Sequence, residues 1–175
     1  MNDLGMLKSQ LQELNDKMAE QDIFATVVLI GGFAGRYLLD NYRQTLDIDF
    51  LVSSITDEAD KAPKWRSLLN ELDMEEVTVV EVPPVEEIEI YDKMEFGNLT
   101  VVIPTIEYFA ITKIFSDRKK DEEDLIQQKI LEHCDPEKLQ KMISLYKGDV
   151  LNPDNHNYNF HTLKDEFLKY GIKLN

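Results

Sequence analysis

The sequence predicts an α+β (α/β) fold, a mixed sheet of about five strands flanked by helices with a helical C-terminal lobe. Three observations point there. Short β-branched runs alternate with amphipathic stretches over the first 104 residues, Gly and Pro pairs separate them, and the texture turns helical beyond Pro104. The expected division is an α/β core with an N-terminal helix over residues 1–104 and a helical lobe over 105–175, packed as one compact unit. A chain of 175 residues is long enough for one domain with a real core.

Leu4, Leu7, Leu11, Leu14 and Met18 recur at spacings of three and four, the stripe of an amphipathic helix. Phe24 to Ile30 is apolar and β-branched and stops at Gly31-Gly32, so it reads as a buried strand ending in a tight turn. A short helix is expected from Phe33 to about Asn41. The next strand is expected over Thr45 to Val52, with Ile48, Phe50 and Val52 on one face and Asp47, Asp49 and Leu51 on the other.

Thr56 to Leu72 carries Trp65, Leu68, Leu69 and Leu72 at helical spacing, with Thr56 as the expected N-cap and Asp57 and Glu58 in the first turn. Glu75 to Val82 and Val85 to Tyr91 read as strands broken at Pro83-Pro84, and Leu99 to Ile103 as a third beyond the Phe96-Gly97-Asn98 turn. Thr105 to Ser116, Glu122 to His133 and Pro136 to Tyr146 read as helices, and the tail as an irregular loop followed by a short helix.

The net charge of -15, from 34 acidic and 19 basic residues, repels a phosphate backbone and argues against broad nucleic-acid binding. A single cysteine, Cys134, rules out an internal disulfide and suits a reducing compartment, where it reads as a buried small side chain. The N-terminus lacks the pattern of a signal peptide, and no apolar run approaches the length of a membrane helix, so the protein is expected in the cytoplasm. His133, His156 and His161 fit no metal-ligand spacing and read as helix-end and loop residues.

The stretch IGGFAGRYLLDNYRQTLDIDFLV, residues 30–52, carries the chemistry. Asp47 and Asp49, two apart on an expected strand, would share a face with Cα atoms roughly 6.6 Å apart, close enough to converge on one or two hard divalent cations. The alternative is a solvated strand face on which the same acids pair with Lys or Arg. Two glycines between strand and helix let backbone N–H groups approach a phosphate at a helix N-terminus, although a simple turn uses glycine too. The order strand, Gly31-Gly32, helix, Arg43-x-Thr45-x-Asp47-Ile48-Asp49, strand brings both features to one sheet edge.

This stretch resembles the nucleotidyltransferase superfamily of the DNA polymerase β type, whose motif is a Gly-Gly or Gly-Ser turn followed by Asp-x-Asp; it also looks like the corresponding part of tRNA CCA-adding enzymes, which are longer. The second half, LTVVIPTIEYFAITKIFSDRKKDEEDLI, is similar to minimal bacterial nucleotidyltransferase-like proteins related to abortive-infection and type IV toxin-antitoxin toxins, in which Arg-x-Thr-x-Asp-Ile-Asp precedes a Lys helix and an Arg-x-Lys-Asp-x-x-Asp segment. The likeness covers roughly residues 24–130. It departs at Gly32-Phe33, which offers no serine hydroxyl.

The resemblance implies a nucleotidyltransferase fold and a metal-dependent transfer of an NMP from an NTP to a hydroxyl acceptor, on RNA, protein or a small molecule. Asp47 and Asp49 would hold Mg²⁺ or Mn²⁺, and Gly31, Gly32, Arg43 and Thr45 would meet the nucleotide. Lys113 would serve as the catalytic cation, its ammonium being a point charge suited to a triphosphate. Arg118 and Lys120 would add positive charge, and Asp121 and Asp124, three apart on a helix, would hold those cations or join the site; a plain charged helix junction is the other reading of that segment. The superfamily takes a third carboxylate from a neighbouring strand. Glu89 is the first choice, Glu87 the next, with Glu81 on the strand before, and all three also fit a solvated edge strand. Two further functions stay open: a catalytically degenerate binding protein with a protein partner in a toxin-antitoxin-like system, and an aminoglycoside-type adenylyltransferase.

Overall fold

The computed structural model describes residues 3–77, 83–150, 155 and 158–173. The helices are α1 (Asp3–Glu20), α2 (Gly31–Leu38), α3 (Glu58–Glu71), α4 (Ile106–Ile114), α5 (Lys119–Gln127), α6 (Ile130–His133), α7 (Pro136–Tyr146), α8 (Asn159–Thr162) and α9 (Lys164–Leu168). The strands are β1 (Ala25–Ile30), β2 (Asp49–Ile55), β3 (Glu75–Glu76), β4 (Ile90–Glu95) and β5 (Leu99–Pro104). The fold is α+β, with a mixed five-stranded sheet in the order β3-β2-β1-β5-β4. Contacts divide the chain into two units. The first holds residues 3–77 and 89–104, and the second takes residues 83–88 together with the chain beyond Pro104.

In the first unit β1 is the buried centre of the sheet, antiparallel to β2 and parallel to β5. Helix α2 packs on β1, β2 and β5, α3 on β2 and β3, and α1 against α2, α3 and β5. The expected α1 stripe is the buried one: Leu7, Leu11, Leu14 and Met18 are fully enclosed. Asn15, also buried on α1, fastens the turn between β4 and β5, its Oδ1 accepting from the N–H groups of Asn98 and Leu99 at 2.8 and 2.9 Å.

Two helices of this unit end in the same way. After α1, Ile23 N–H donates to Met18 O and Asp22 N–H to Ala19 O; after α3, Met74 N–H donates to Leu69 O and Asp73 N–H to Asn70 O. Both are Schellman closures with an aspartate at φ +55 where glycine is the usual residue.

Several expectations need correction. Strand β2 begins at Asp49, not Thr45, because its ladder partner ends at the glycines: the last pair is Ile30 with Asp49, and nothing on β1 remains to bond residues further back. The expected alternation also fails, since Phe50 and Leu51 are both buried. Thr56 does not cap α3; its N–H extends the ladder to Phe24 O at 2.9 Å, and Asp57 at φ +53 takes the N-cap position. Val85–Glu87 is a 3₁₀ turn and β4 starts only at Ile90, the Pro83-Pro84 pair having no N–H to give a ladder. Of the strand expected over Glu75 to Val82, β3 takes Glu75–Glu76, and residues 78–82, Glu81 among them, lie outside the described residues. The helix expected from Glu122 to His133 is two, α5 and α6, broken at Lys129 with φ +55.

The second unit is helical. Cys134 is buried as expected, its Sγ 3.3 Å from Ile130 O, and burial pushes its thiol well above the ordinary range. Tyr146 Oη donates to Glu87 Oε2 at 2.8 Å, tying residues 83–88 to this unit.

Candidate functional site

β1 stops because Gly31 takes φ +68, a left-handed conformation that bends the chain directly into α2. Helix α2 thus opens at the carboxyl end of β1 with Ile30 as its N-cap, whose side chain makes no capping hydrogen bond. The residues that come back across this helix use its glycines. A methyl group on Gly31 would meet Asp49 Oδ2 at 2.6 Å, one on Gly32 would meet Thr45 Cβ and Cγ2 at 2.6 Å, and one on Gly35 would meet the Tyr42 ring at 2.5 Å. Residues 42–48 therefore form a strap lying directly on the first turns of α2.

The strap is held by polar contacts as well. Arg36 Nη1 donates to Tyr42 O at 2.6 Å, Asp47 N–H donates to Thr45 Oγ1 at 3.3 Å, and the Arg43 guanidinium lies 5.6 Å over the Tyr42 ring. Thr45 is thus a support under Gly32 and beside Asp47. Asp47 itself is exposed and lies just outside β2, whereas Asp49 is half-buried as the first residue of that strand. The two reach the same place without sharing a strand.

That place is an open hollow of about 110 Å³ lined by Asp47, Ile48, Asp49, Asp73, Met74 and Glu75. Asp73 and Glu75 arrive through the Schellman closure of α3 and through β3, which runs parallel to β2 with Glu75 in register with Asp49. In-register residues of parallel strands project to one side of the sheet, so Glu75 stands beside Asp49.

Glu89 does not. It precedes β4, three strands from β2, and three spacings of about 4.8 Å put the two backbones about 14 Å apart. Glu87 belongs to the second unit, and its carboxylate is taken by Tyr146. Glu75, which sequence reasoning missed, carried a readable signal: a strand after a helical crossover pairs with its predecessor more often than not.

The donors at the hollow are all carboxylate oxygens, the set a hard divalent cation takes. No group of three or more His, Cys, Asp or Glu among the described residues stands ready to hold a metal ion. Two carboxylates still suit Mg²⁺, which keeps waters and takes further oxygens from a substrate's phosphates.

The second motif behaves differently from its expected role. Lys113 is 4% exposed, with Nζ 3.0 Å from both Asp121 Oδ1 and Asp124 Oδ2 and 5.3 Å from the centre of the Phe109 ring. Ser116 Oγ donates to Asp121 Oδ2 at 2.7 Å, and Asn159 Nδ2 donates to Lys113 O at 2.9 Å. The expected catalytic lysine is thus the centre of a buried ion cluster that joins α4, α5 and α8. A buried ammonium with two carboxylates in contact is not offered to a phosphate. Arg118 and Lys120, by contrast, keep exposed side chains at the start of α5.

A Gly-Gly turn from a central strand into a helix, with two aspartates entering the neighbouring antiparallel strand, is the frame of a nucleotidyl-transfer core. The chain belongs to the family described as Nucleotidyltransferase of unknown function (DUF6036), which matches residues 2–173. Among curated proteins none matches the chain. No helix of the described residues is long and apolar enough to cross a membrane.

Proposed function

We propose that the protein transfers an NMP from an NTP to a hydroxyl acceptor, with pyrophosphate leaving, using Mg²⁺ or Mn²⁺ held by Asp47 and Asp49 with the Glu75 carboxylate beside them. The observation that carries this reading is the hollow at the end of β1, where Asp49 lies against Gly31 so closely that no side chain fits between them. The N–H groups opening α2 orient phosphates, favoured there by the helix dipole. Asp47 and Asp49 would hold the cation, Glu75 adds negative charge beside them, and Thr45 keeps Asp47 at that position. A bound divalent ion supplies charge neutralisation on the triphosphate and a lowered pKa for the attacking hydroxyl. A buried thiol suits a role in the cytoplasm.

The excess of acid at the hollow, Asp73 in particular, favours a cationic small acceptor such as an aminoglycoside over a polyanionic one. The burial of Lys113 favours a second reading, a catalytically degenerate member that binds a protein partner in a toxin-antitoxin-like pair.

Thermal unfolding with Mg²⁺ and each NTP tests the proposal. A rise in Tm that Asp49→Ala abolishes is the expected result. Absence of any shift at millimolar NTP, together with recovery of a stoichiometric protein partner, would overturn catalysis in favour of the binding module. Labelled ATP offered with RNA, protein and aminoglycosides separates the acceptors.

A further inference from the structure

Since Asp47 lies outside β2, the strand period does not set its distance from Asp49; the strap must do so. We infer that Arg36 is the positioning residue of this site, clamping the strap through the Tyr42 carbonyl so that Asp47 faces the same cation as Asp49. The inference rests on the proposed function, because it assigns Arg36 a role toward the cation of that site.

The geometry is specific. Arg36 projects from the last turn of α2, and its Nη1 reaches Tyr42 O at 2.6 Å, a charge-assisted bond. Tyr42 is 2% exposed, and its ring fills the space that a side chain at position 35 would need. The carbonyl is thus fixed from one side by the guanidinium and from the other by the ring's seat on Gly35. Three residues further on, Thr45 rests on Gly32 and accepts the Asp47 N–H. Moving the Tyr42 end of the strap shifts Asp47 while leaving Asp49 in its ladder opposite Ile30. Groups that orient metal ligands from behind change affinity without touching the ion.

Mn²⁺ binding to the full chain, read by electron paramagnetic resonance without nucleotide, tests this apart from turnover. Arg36→Met is expected to weaken Mn²⁺ affinity about tenfold, the scale typical of outer-shell partners, and Arg36→Lys, which keeps one donor, to fall between it and the wild type. Gly35→Ala, which pushes on the Tyr42 ring, should weaken binding in the same direction. Circular dichroism and Tm of each variant show whether the fold survives. If Arg36→Met does not fold, Arg36→Lys decides: weakened Mn²⁺ binding in a folded protein supports the role, and wild-type affinity overturns it. A folded Arg36→Met with a lowered Tm and unchanged affinity overturns it too, leaving Arg36 as scaffold alone. A wild-type protein that binds no Mn²⁺ sinks the proposed function as well, an outcome distinct from binding that the variants leave unchanged.

Discussion

Lys113 Nζ lies 3.0 Å from Asp124 Oδ2 inside the second unit, with each side chain 5% exposed. An ion pair enclosed to this degree is worth little as an attraction, because desolvation offsets the Coulomb term, but it is costly to break. Lys113→Ala leaves Asp121 and Asp124 without their shared cation and is expected to lower stability by about 3–5 kcal/mol. Replacing all three by apolar residues of similar volume is expected to restore or exceed wild-type stability. Urea unfolding of both variants checks this, and a wild-type Tm for Lys113→Ala would refute it.

At the glycine bend, Gly31→Ala carries two penalties. The left-handed φ of +68 costs about 1–2 kcal/mol for a residue with a Cβ. The new methyl also displaces the Asp49 carboxylate, which lies 2.6 Å away. The expected outcome is a lowered Tm together with loss of the NTP-dependent shift. A variant that loses stability yet keeps the shift would show that the phosphate cradle does not depend on this approach.

The two Schellman closures offer stabilising changes. Asp22→Gly and Asp73→Gly remove a side chain from φ +55 and are each expected to add about 0.5–1 kcal/mol. The pair also separates stability from binding. Asp73 lines the hollow and Asp22 does not, so only Asp73→Gly should weaken the retention of a cationic acceptor. Denaturant midpoints and acceptor titration read the two effects independently.

Asn15→Ala removes the acceptor for two backbone N–H groups at the start of β5. Leaving them unsatisfied is expected to cost about 1–3 kcal/mol apiece. Hydrogen exchange at Leu99 gives a local reading, and the loss should appear there before it reaches β2.

Tyr37 donates to the Asp92 carboxylate, and this bond pushes its phenol up to about 12. The neutral phenol is the form favoured by folding. Its contribution is therefore fully present below the ordinary tyrosine range and is lost as pH rises through the folded value. Stability should fall between about pH 10 and 12, more steeply in wild type than in Tyr37→Phe. Parallel slopes for the two proteins would refute the linkage, and an ultraviolet titration of the tyrosines reads the phenol directly.

Local patterns made much of this structure legible. The β-branched run ending in two glycines is β1, the Leu stripe is α1, and Pro136 to Tyr146 is α7 with Asp135 capping Lys138 N–H as an Asp-Pro junction dictates. Where a second strand had to be known, the pattern misled. Thr45 to Ile48 alternates like a strand, yet β1 has already turned into α2 and leaves it no partner. Glu87 to Ile90 alternates too, but the segment follows two prolines and opens as a 3₁₀ turn over Val85–Glu87. Which acid stands beside Asp49 depends on sheet order, which pairs Asp49 with Glu75 and sends Glu89 to the far edge. The aspartates and glycines of the site were visible because their chemistry is local. The fate of Lys113 was not, since burial depends on Asn159, far along the chain, which ties α8 to the same network.

The three glycines under the strap and the start of β2 make this region fragile in an unusual sense. The acids at its mouth can be exchanged for their amides with little change of shape, whereas one additional carbon at position 31, 32 or 35 collides with a neighbour. Inheritance can thus silence such a protein through its smallest residues, by a mutation that changes no charge and removes no ligand.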